Sequence, residues 1–237
     1  MSAGAGSCSA ATRKSDAARA AAIPHMPHLL DRITRTLGGG LLALLIAATA
    51  PAAAALPASE DDLARVEGYL NELRSLRASF VQIAPDGGTA TGRVYYQRPD
   101  KMRLDYDPPS RLEIIASGWQ LVYHDRRLEQ VSHLPVRRTP LAFLLQDQIS
   151  LSGGGVEVTH AERDEEELRI TVIQADQPDQ GALTLVFGGE PVELRRWAVT
   201  DAQGLTTHVL LEEIETDVRL DRSLFVFRDP YIFQRRD

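Results

Sequence analysis

The residues of this chain that could perform catalysis or bind a metal match no common motif. The sequence has no Gly-x-Ser-x-Gly nucleophile elbow, no phosphate-binding P-loop and no dinucleotide-binding fingerprint. No histidine after residue 55 stands at zinc-ligand spacing from another histidine, a cysteine or a carboxylate. These histidines are His124, His133, His160 and His208. We therefore predict no metal and no cofactor, and the sequence singles out no catalytic residue.

Two groups of acidic residues could mimic a functional site. Asp105 and Asp107 share one strand face like a catalytic carboxylate pair, but with Arg103 beside them a solvated outer face is favoured. The acidic run at 164–167 does not have the spacing of a calcium loop, so we expect a solvated hairpin turn. His124 is predicted to face solvent. An enzyme stays open as an alternative, because catalytic groups can assemble from distant residues.

The N-terminal segment has the layout of a secretory signal peptide. Arg32 and Arg35 precede a short apolar run at 41–48, and an Ala-x-Ala pattern ends the segment at Ala53 to Ala55. The run is too short to cross a bilayer comfortably. Cleavage is therefore favoured over the alternative, a permanent N-terminal membrane anchor.

We predict that residues 1–55 are removed on export and that residues 56–237 form one domain, with Met26 as an alternative start. The segment takes 5 of 26 basic and 2 of 33 acidic residues, which leaves 21 and 31 and a net charge of −10. This acidic balance argues against nucleic-acid binding. The only cysteine, Cys8, leaves with the segment, so no disulfide is expected.

After residue 76 most of the chain alternates apolar and polar residues, as β-strands do. In the stretch 97–106, Pro99 and Asp100 suit a tight turn. The next strand then places apolar residues on one face, namely Met102, Leu104 and Tyr106. About ten such strands follow one another at hairpin spacing, so the sheet is expected to be antiparallel. So many strands rarely stay flat, which favours a strongly curved sheet or open barrel.

Two segments carry helical patterns instead. Residues 60–75 follow a cap-type Ser59 and have an apolar stripe at spacings of three and four. The stripe consists of Leu63, Val66, Leu70 and Leu73. Residues 139–146 begin with Thr139 as a cap and Pro140 at the first helical position. This second segment is apolar on nearly all sides through Leu141, Phe143, Leu144 and Leu145.

The two helical segments and the inner face of the sheet must bury one another. They could close on themselves as an ordinary core. They could also enclose a cavity for an apolar ligand, with the helices as a lid, as curved sheets do in lipid-binding proteins. Patterning alone leaves both interpretations open.

A series of short motifs follows the predicted signal peptide and the amphipathic helix. In order, the motifs are Phe80-x-Gln82, Arg98-Pro99-x-x-Met102-Arg103-x-x-Tyr106, Ser117-Gly118-x-x-Leu121-x-Tyr123, Thr139-Pro140-Leu141, Asp201-x-x-Gly204, Phe225-x-Phe227 and Pro230. Each motif alone is weak, but the series in this order resembles the LolA family, the periplasmic carriers of outer-membrane lipoproteins. The resemblance runs from about residue 59 to residue 230 and so includes the amphipathic helix.

The resemblance implies a mainly β fold, a half-open antiparallel β-barrel of about 10–11 strands with a lid of short α-helices. It implies a cavity for the acyl chains of one lipoprotein. The predicted wall comprises Phe80, Met102, Leu104, Tyr106, Leu121, Tyr123, Leu183 and Leu185. The predicted lid comprises Leu63, Val66, Leu70, Leu141, Phe143, Leu144 and Leu145. By resemblance, Arg98 hydrogen-bonds to the lid in the closed state, and Met102 occupies the position linked to cargo release.

The resemblance also implies partners and a compartment. A periplasmic monomer would receive outer-membrane lipoproteins from an ABC-type release complex in the inner membrane and deliver them to the outer membrane. Some members use an outer-membrane receptor, but the chain lacks the longer C-terminal extension associated with transfer to it. The alternatives are a lipoprotein-sensing regulator of the RseB type and, less favoured, a secreted lipid-modifying enzyme.

Overall fold

A computed structural model describes residues 55–230, which form one α-helix and one sheet of twelve strands. The predicted signal peptide therefore lies, apart from residue 55, outside the described residues. The helix α1 is Glu60–Glu72. The strands are β1 (Leu56–Pro57), β2 (Ser75–Ile83), β3 (Thr89–Gln97), β4 (Lys101–Tyr106), β5 (Leu112–Ser117), β6 (Gln120–Asp125), β7 (Gln130–Pro135), β8 (Val156–Arg163), β9 (Glu167–Gln174), β10 (Ala182–Gly188), β11 (Glu193–Thr200) and β12 (Thr206–Thr216).

The sheet is antiparallel throughout and is not closed. Its order is β1-β8-β9-β10-β11-β12-β2-β3-β4-β5-β6-β7, so β1 and β7 are the two edges of the described sheet. The predicted fold class, a curved antiparallel sheet with a helical covering, is confirmed. The strand count exceeds the prediction because β1 is only two residues long and pairs with the distant β8, a contact that no local pattern reveals.

The hairpin of β3 and β4 shows how the alternating pattern becomes an inner wall. Tyr96 pairs with Met102 across the hairpin, and the turn residue Asp100 has φ of 65°, a conformation that aspartate tolerates. In β3, Gly92 has no room for a side chain: a Cβ atom there would lie 2.2 Å from the Asp105 carbonyl oxygen of β4 and 2.7 Å from the ring of Phe80. Any larger residue at this position would therefore force the main chain of the hairpin, as well as Phe80, to shift.

Helix α1 begins where the sequence predicts. Ser59 and Asp62 form a reciprocal cap, in which the Asp62 amide donates to the Ser59 hydroxyl and the Ser59 amide donates to the Asp62 carboxylate. Val66 and Leu70, one turn apart, are fully buried. The helix stripe therefore faces the apolar interior. Among residues 55–230, no helix is long and apolar enough to cross a membrane.

A second covering element, the lid segment, is defined as residues 136–151. It contains two short 3-10 helices, Val136–Arg138 and Pro140–Phe143, and not the predicted α-helix. Thr139 does not cap a helix, because its hydroxyl donates to the Val136 carbonyl at 2.8 Å. Arg137 and Arg138 of the first helix are exposed, whereas no residue of the second one is. A single tight turn can bury its side chains without the polar face that a longer amphipathic helix requires.

The C-terminal strap, residues 221–228, covers part of the outer face of the sheet. Arg103 donates to the Leu224 carbonyl at 2.8 Å, and the ring of Phe227 meets His124 edge-on at 5.4 Å. The prediction that His124 faces solvent is therefore wrong, since this residue is only 5% exposed. Local alternation placed it correctly on the outer face, but a segment a hundred residues away covers that face.

Asp62 supports a prediction about acid stability. Burial acts to raise its pKa, but hydrogen bonds from Ser59 and the charge of Arg163 lower that pKa to about 2 from an ordinary 3.8. The stabilisation is therefore complete above the ordinary value and is lost as pH falls through about 2. We expect Asp62→Asn to lower the free energy of unfolding by about 1–2 kcal/mol near pH 7.

Urea unfolding near pH 7 and again near pH 2 measures this effect. The gap between Asp62→Asn and the wild type should shrink at the lower pH. The exposed neighbour Asp61, changed to asparagine, is the matched control and should have little effect at either pH. An equal loss at both pH values for Asp62→Asn would show that charge is not the cause.

Candidate functional site

The predicted wall and lid residues come together in one apolar cluster inside the curved sheet. Eleven of these fifteen residues are buried members of the cluster, and Leu63, Tyr106, Tyr123 and Leu141 pack against it partly buried. Leu183 and Leu185 of β10 have no exposed surface, and Met102 is 3% exposed. Strands from both halves of the sheet thus contribute to one continuous apolar interior beneath α1 and the lid segment.

Two tyrosines, Tyr106 and Tyr123, pack against the apolar interior and are partly buried. The Tyr106 ring meets Phe80 edge-on at 5.1 Å, and its hydroxyl donates to Gln82 at 2.5 Å. Burial raises the pKa of Tyr106 and of Tyr123 above the usual tyrosine range. Both rings therefore stay neutral and present apolar surface inward, which suits contact with a hydrocarbon.

The interior holds little free space in this structure. A cavity of about 20 Å³, enough for roughly one water molecule, lies between the wall and the lid segment. Its lining is entirely apolar and consists of Leu73, Leu76, Val94, Tyr96, Met102, Leu144, Leu194 and Trp197. The lid side chains Phe143 and Leu144 are 1% and 2% exposed, so they fill the space beneath the lid segment. The interior is therefore closed in this structure.

Arg98 joins the lid segment to α1 through a buried guanidinium that is 7% exposed. Its Nε donates to the Gln146 carbonyl at 3.1 Å, and one terminal nitrogen donates to the carbonyl of Asp147. The other terminal nitrogen donates to the carbonyl of Leu70, in the last turn of α1. No carboxylate among residues 55–230 forms an ion pair with Arg98, so main-chain carbonyls carry most of its hydrogen bonding.

Arg98 also provides a hydrogen-bond donor and a positive charge at the C-terminal end of α1. The last carbonyls of a helix lack partners within it and carry partial negative charge. The last turn of α1 contains no basic residue of its own. Arg98 supplies the missing cation from a distant hairpin, which accounts for a buried charge without a carboxylate partner.

Further hydrogen bonds tie the same region to the sheet. The Tyr96 hydroxyl donates to the Leu144 carbonyl at 2.6 Å, and the Asp100 amide donates to the Leu145 carbonyl at 3.0 Å. Burial raises the pKa of Tyr96, against a smaller lowering by the charge of Arg98, so the phenol keeps the proton it donates. From β9, Gln174 donates to the Thr139 carbonyl at 2.8 Å.

Sequence reasoning missed several of these polar partners. Tyr96 could have been found, because it alternates with Val94 and lies two residues before Arg98 in the same hairpin. Asn71, which donates to the Ile149 carbonyl of the lid segment, and Gln174 gave no signal, since a single amide side chain on a helix or strand has no pattern. Their partners lie 78 and 35 residues away in sequence.

The charged residues on the outer face form a structural network. Glu113 accepts from Arg126 at 2.7 Å and pairs with Arg103 at 2.5 Å, and Arg103 also pairs with Asp105 at 2.8 Å. His124 Nδ1 lies 3.2 Å from Glu113. Within residues 55–230 no group of three histidine, cysteine or acidic side chains could hold a metal ion.

The acidic run at 164–167 forms the turn between β8 and β9, as predicted. Asp164 accepts from the amides of Glu166 and Glu167 at 2.8 and 2.7 Å. Asp107, the other half of the suspected carboxylate pair, is exposed and accepts from Thr91 at 2.9 Å. These acids complete turns and strand edges on the outside of the sheet.

The fold and this site define a class of protein: an open, curved antiparallel sheet whose apolar interior is covered by a helix and a tied lid. The model of the family described as "Outer membrane lipoprotein carrier protein LolA" matches residues 71–228. The chain therefore belongs to the LolA family, and the assignment made from its motifs is confirmed.

Two named relatives agree with this assignment. An outer-membrane lipoprotein carrier protein of Methylococcus capsulatus is 30% identical over 176 residues, covering 70% of this chain and 83% of the relative. The protein of that name from Alkalilimnicola ehrlichii is 30% identical over 200 residues, or 80% and 89%. Among solved structures, a LolA superfamily protein from Nitrosomonas europaea is 12% identical and covers 70% of this chain and 97% of its own, with a TM-score of 0.38.

The closed packing of the lid can be tested with Phe143→Ala. Because Phe143 is 1% exposed, we expect the free energy of unfolding to fall by about 3 kcal/mol or more. Urea unfolding measures the change. Leu128→Ala, at a side chain that is 55% exposed, is the control and should cost under about 0.5 kcal/mol. Equal, small effects of both variants would mean that the lid does not pack on the wall.

Proposed function

We propose that this protein is a periplasmic carrier of outer-membrane lipoproteins, which holds their acyl chains in the interior beneath the lid segment. One observation carries the proposal. Apolar side chains fill this interior, yet the lid segment over it is held in place by hydrogen bonds, which can break and re-form. The names of the relatives support the same function. Because this family is one of carriers, a catalytic role for the chain is not proposed.

The lid side chains would act as internal substitutes for cargo. Phe143, Leu144 and Leu145 are buried against the wall when the interior is empty. An acyl chain that replaced them would gain about 0.8 kcal/mol for each buried CH₂. The lid would then lose its own burial and its hydrogen bonds, at about 1 kcal/mol net for each neutral bond. Loading is thus an exchange of similar contacts, which allows the cargo to leave again.

Met102 is suited to the part of the wall that meets the guest. It lines the small cavity together with Leu144 of the lid. An unbranched thioether side chain adapts to irregular surfaces, so Met102 can follow acyl chains of different length without creating voids. This property fits the role in release that the resemblance assigns to this position.

The proposed route begins and ends at membranes. The predicted signal peptide would export the chain to the periplasm, where an ABC-type complex in the inner membrane would release lipoproteins to it. Delivery to the outer membrane would follow, either through a receptor or directly. The net charge of −10 predicted for the exported chain gives no general attraction to anionic lipid, which favours a soluble intermediate between the two membranes.

A release assay tests the carrier function. Membranes that hold the release complex and a labelled lipoprotein are incubated with the purified protein and ATP, and the soluble fraction is separated by size. We expect a soluble complex of one lipoprotein with one carrier, because a single interior lies beneath a single lid. Absence of labelled lipoprotein from the soluble fraction would refute the proposal.

Arg98→Leu tests the closed state. The variant loses hydrogen bonds from a charged group to the lid and to α1, each worth about 1.5–3 kcal/mol. The closed form should therefore be less favoured, and the protein should still accept lipoprotein but deliver it to outer membranes at least about tenfold more slowly. Transfer of labelled cargo from the preformed complex measures the effect.

Two further variants complete this test. Arg98→Lys keeps the charge but loses the planar fork, so we expect an intermediate delivery rate. Arg74→Leu removes an exposed arginine close to the end of α1 and should behave like the wild type. Delivery by Arg98→Leu at the wild-type rate would show that Arg98 does not control the lid.

A further inference from the structure

We propose that Asn71, in addition to Arg98, positions the lid segment. Asn71 fixes the rear of the segment to α1, so that only the front opens. The front is defined as residues 140–147 and the rear as residues 148–151. Opening of the front to admit an acyl chain rests on the function proposed above. The anchoring of the rear by Asn71 does not, and it can be measured on the empty protein.

The Asn71 side chain pairs with the main chain of the rear as a neighbouring strand would. Its Oδ1 accepts from the Ile149 amide at 3.0 Å, and its Nδ2 donates to the Ile149 carbonyl at 2.8 Å. Both main-chain groups of one buried residue are thus satisfied by a single side chain. Because Ile149 is 2% exposed, loss of these bonds would leave buried polar groups without partners, which is costly.

A second bond reinforces the same attachment. Glu67 lies one turn before Asn71 on α1 and accepts from the Leu151 amide at 2.7 Å. Ile149 and Leu151 also belong to the buried cluster. The rear is therefore bound to α1 by three hydrogen bonds and by apolar packing.

The front is attached to a different element. Its carbonyls at Leu144 and Leu145 accept from Tyr96 and Asp100 of the β3–β4 hairpin. Arg98 of the same hairpin holds the next two carbonyls. The two parts of the lid thus have separate anchors, and the hairpin bonds can break while those of α1 persist.

Asn71 also orients Arg98. Its Oδ1 lies 3.2 Å from a terminal nitrogen of the guanidinium, and the other terminal nitrogen bonds to the carbonyl of Leu70. These two contacts come from α1 and do not depend on the lid. When the front opens, they would keep the guanidinium in place to recapture the carbonyls of Gln146 and Asp147.

Amide hydrogen exchange of the purified protein, resolved to single residues, tests the proposal with Asn71→Ala. We expect exchange at the Ile149 amide to rise about tenfold or more, while exchange at Leu144 to Gln146 rises by less than about threefold. Alanine favours helix more than asparagine does, so loss of α1 is not the cause. Asn71→Asp keeps the acceptor oxygen and should protect the Ile149 amide better than alanine does.

Arg98→Leu supplies the opposite pattern, with faster exchange at Leu144 to Gln146 and slow exchange kept at Ile149. Glu72→Ala, at an exposed neighbour of Asn71, is the matched control and should change neither region. An unchanged Ile149 amide in Asn71→Ala would overturn the proposal. Equal acceleration of front and rear in either variant would also overturn it, because the lid would then move as one body. None of these results depends on whether the release assay succeeds.

Discussion

One buried guanidinium, that of Arg98, joins the lid segment to α1, and within the described part of the chain it binds main-chain carbonyls and forms no ion pair. A carboxylate partner would hold Arg98 in a strong and largely irreversible contact, since separating a buried ion pair leaves two uncompensated charges. Carbonyls of α1 and of the lid segment share the charge instead. In the proposed opening, the bonds to the lid would be exchanged for water, while those to α1 would remain. This division makes a closed but reversible cover physically reasonable.

The apolar interior imposes a second constraint, which is that it must be filled. A permanent open cavity lined by leucine, phenylalanine and methionine would lose packing energy over its whole surface. In this structure Phe143, Leu144 and Leu145 fill that space, and a void of only about 20 Å³ remains. Apolar packing therefore fills the interior, and hydrogen bonds fix the position of the lid segment. A lipid guest would compete with the packed lid side chains, and the hydrogen bonds would set how readily the lid opens for it.

Particular residues show how far local patterns reach. Met102, Leu104 and Tyr106 alternate along β4 and point inward as predicted, because a strand must place every second side chain on the same face. Of the predicted α-helix at 139–146, only Pro140–Phe143 is helical, and it is a 3-10 helix, since a segment that is apolar on nearly all sides lacks the polar stripe of a surface helix. His124 lies on the predicted face of its strand, but the strap that buries it belongs to residues 221–228.

The sequence by itself determined the strands other than β1, their inner and outer faces, helix α1 and its cap, and the family, because each depends on neighbours within a few residues or on motifs in order. Only the tertiary structure decided what touches Arg98: the carbonyls of Leu70, Gln146 and Asp147 come from segments 28 to 49 residues away. Likewise, only the tertiary structure shows that the Asn71 side chain bonds to the main chain of Ile149, 78 residues away. Main-chain carbonyls are identical at every residue, so no sequence pattern can mark which of them will meet a buried side chain.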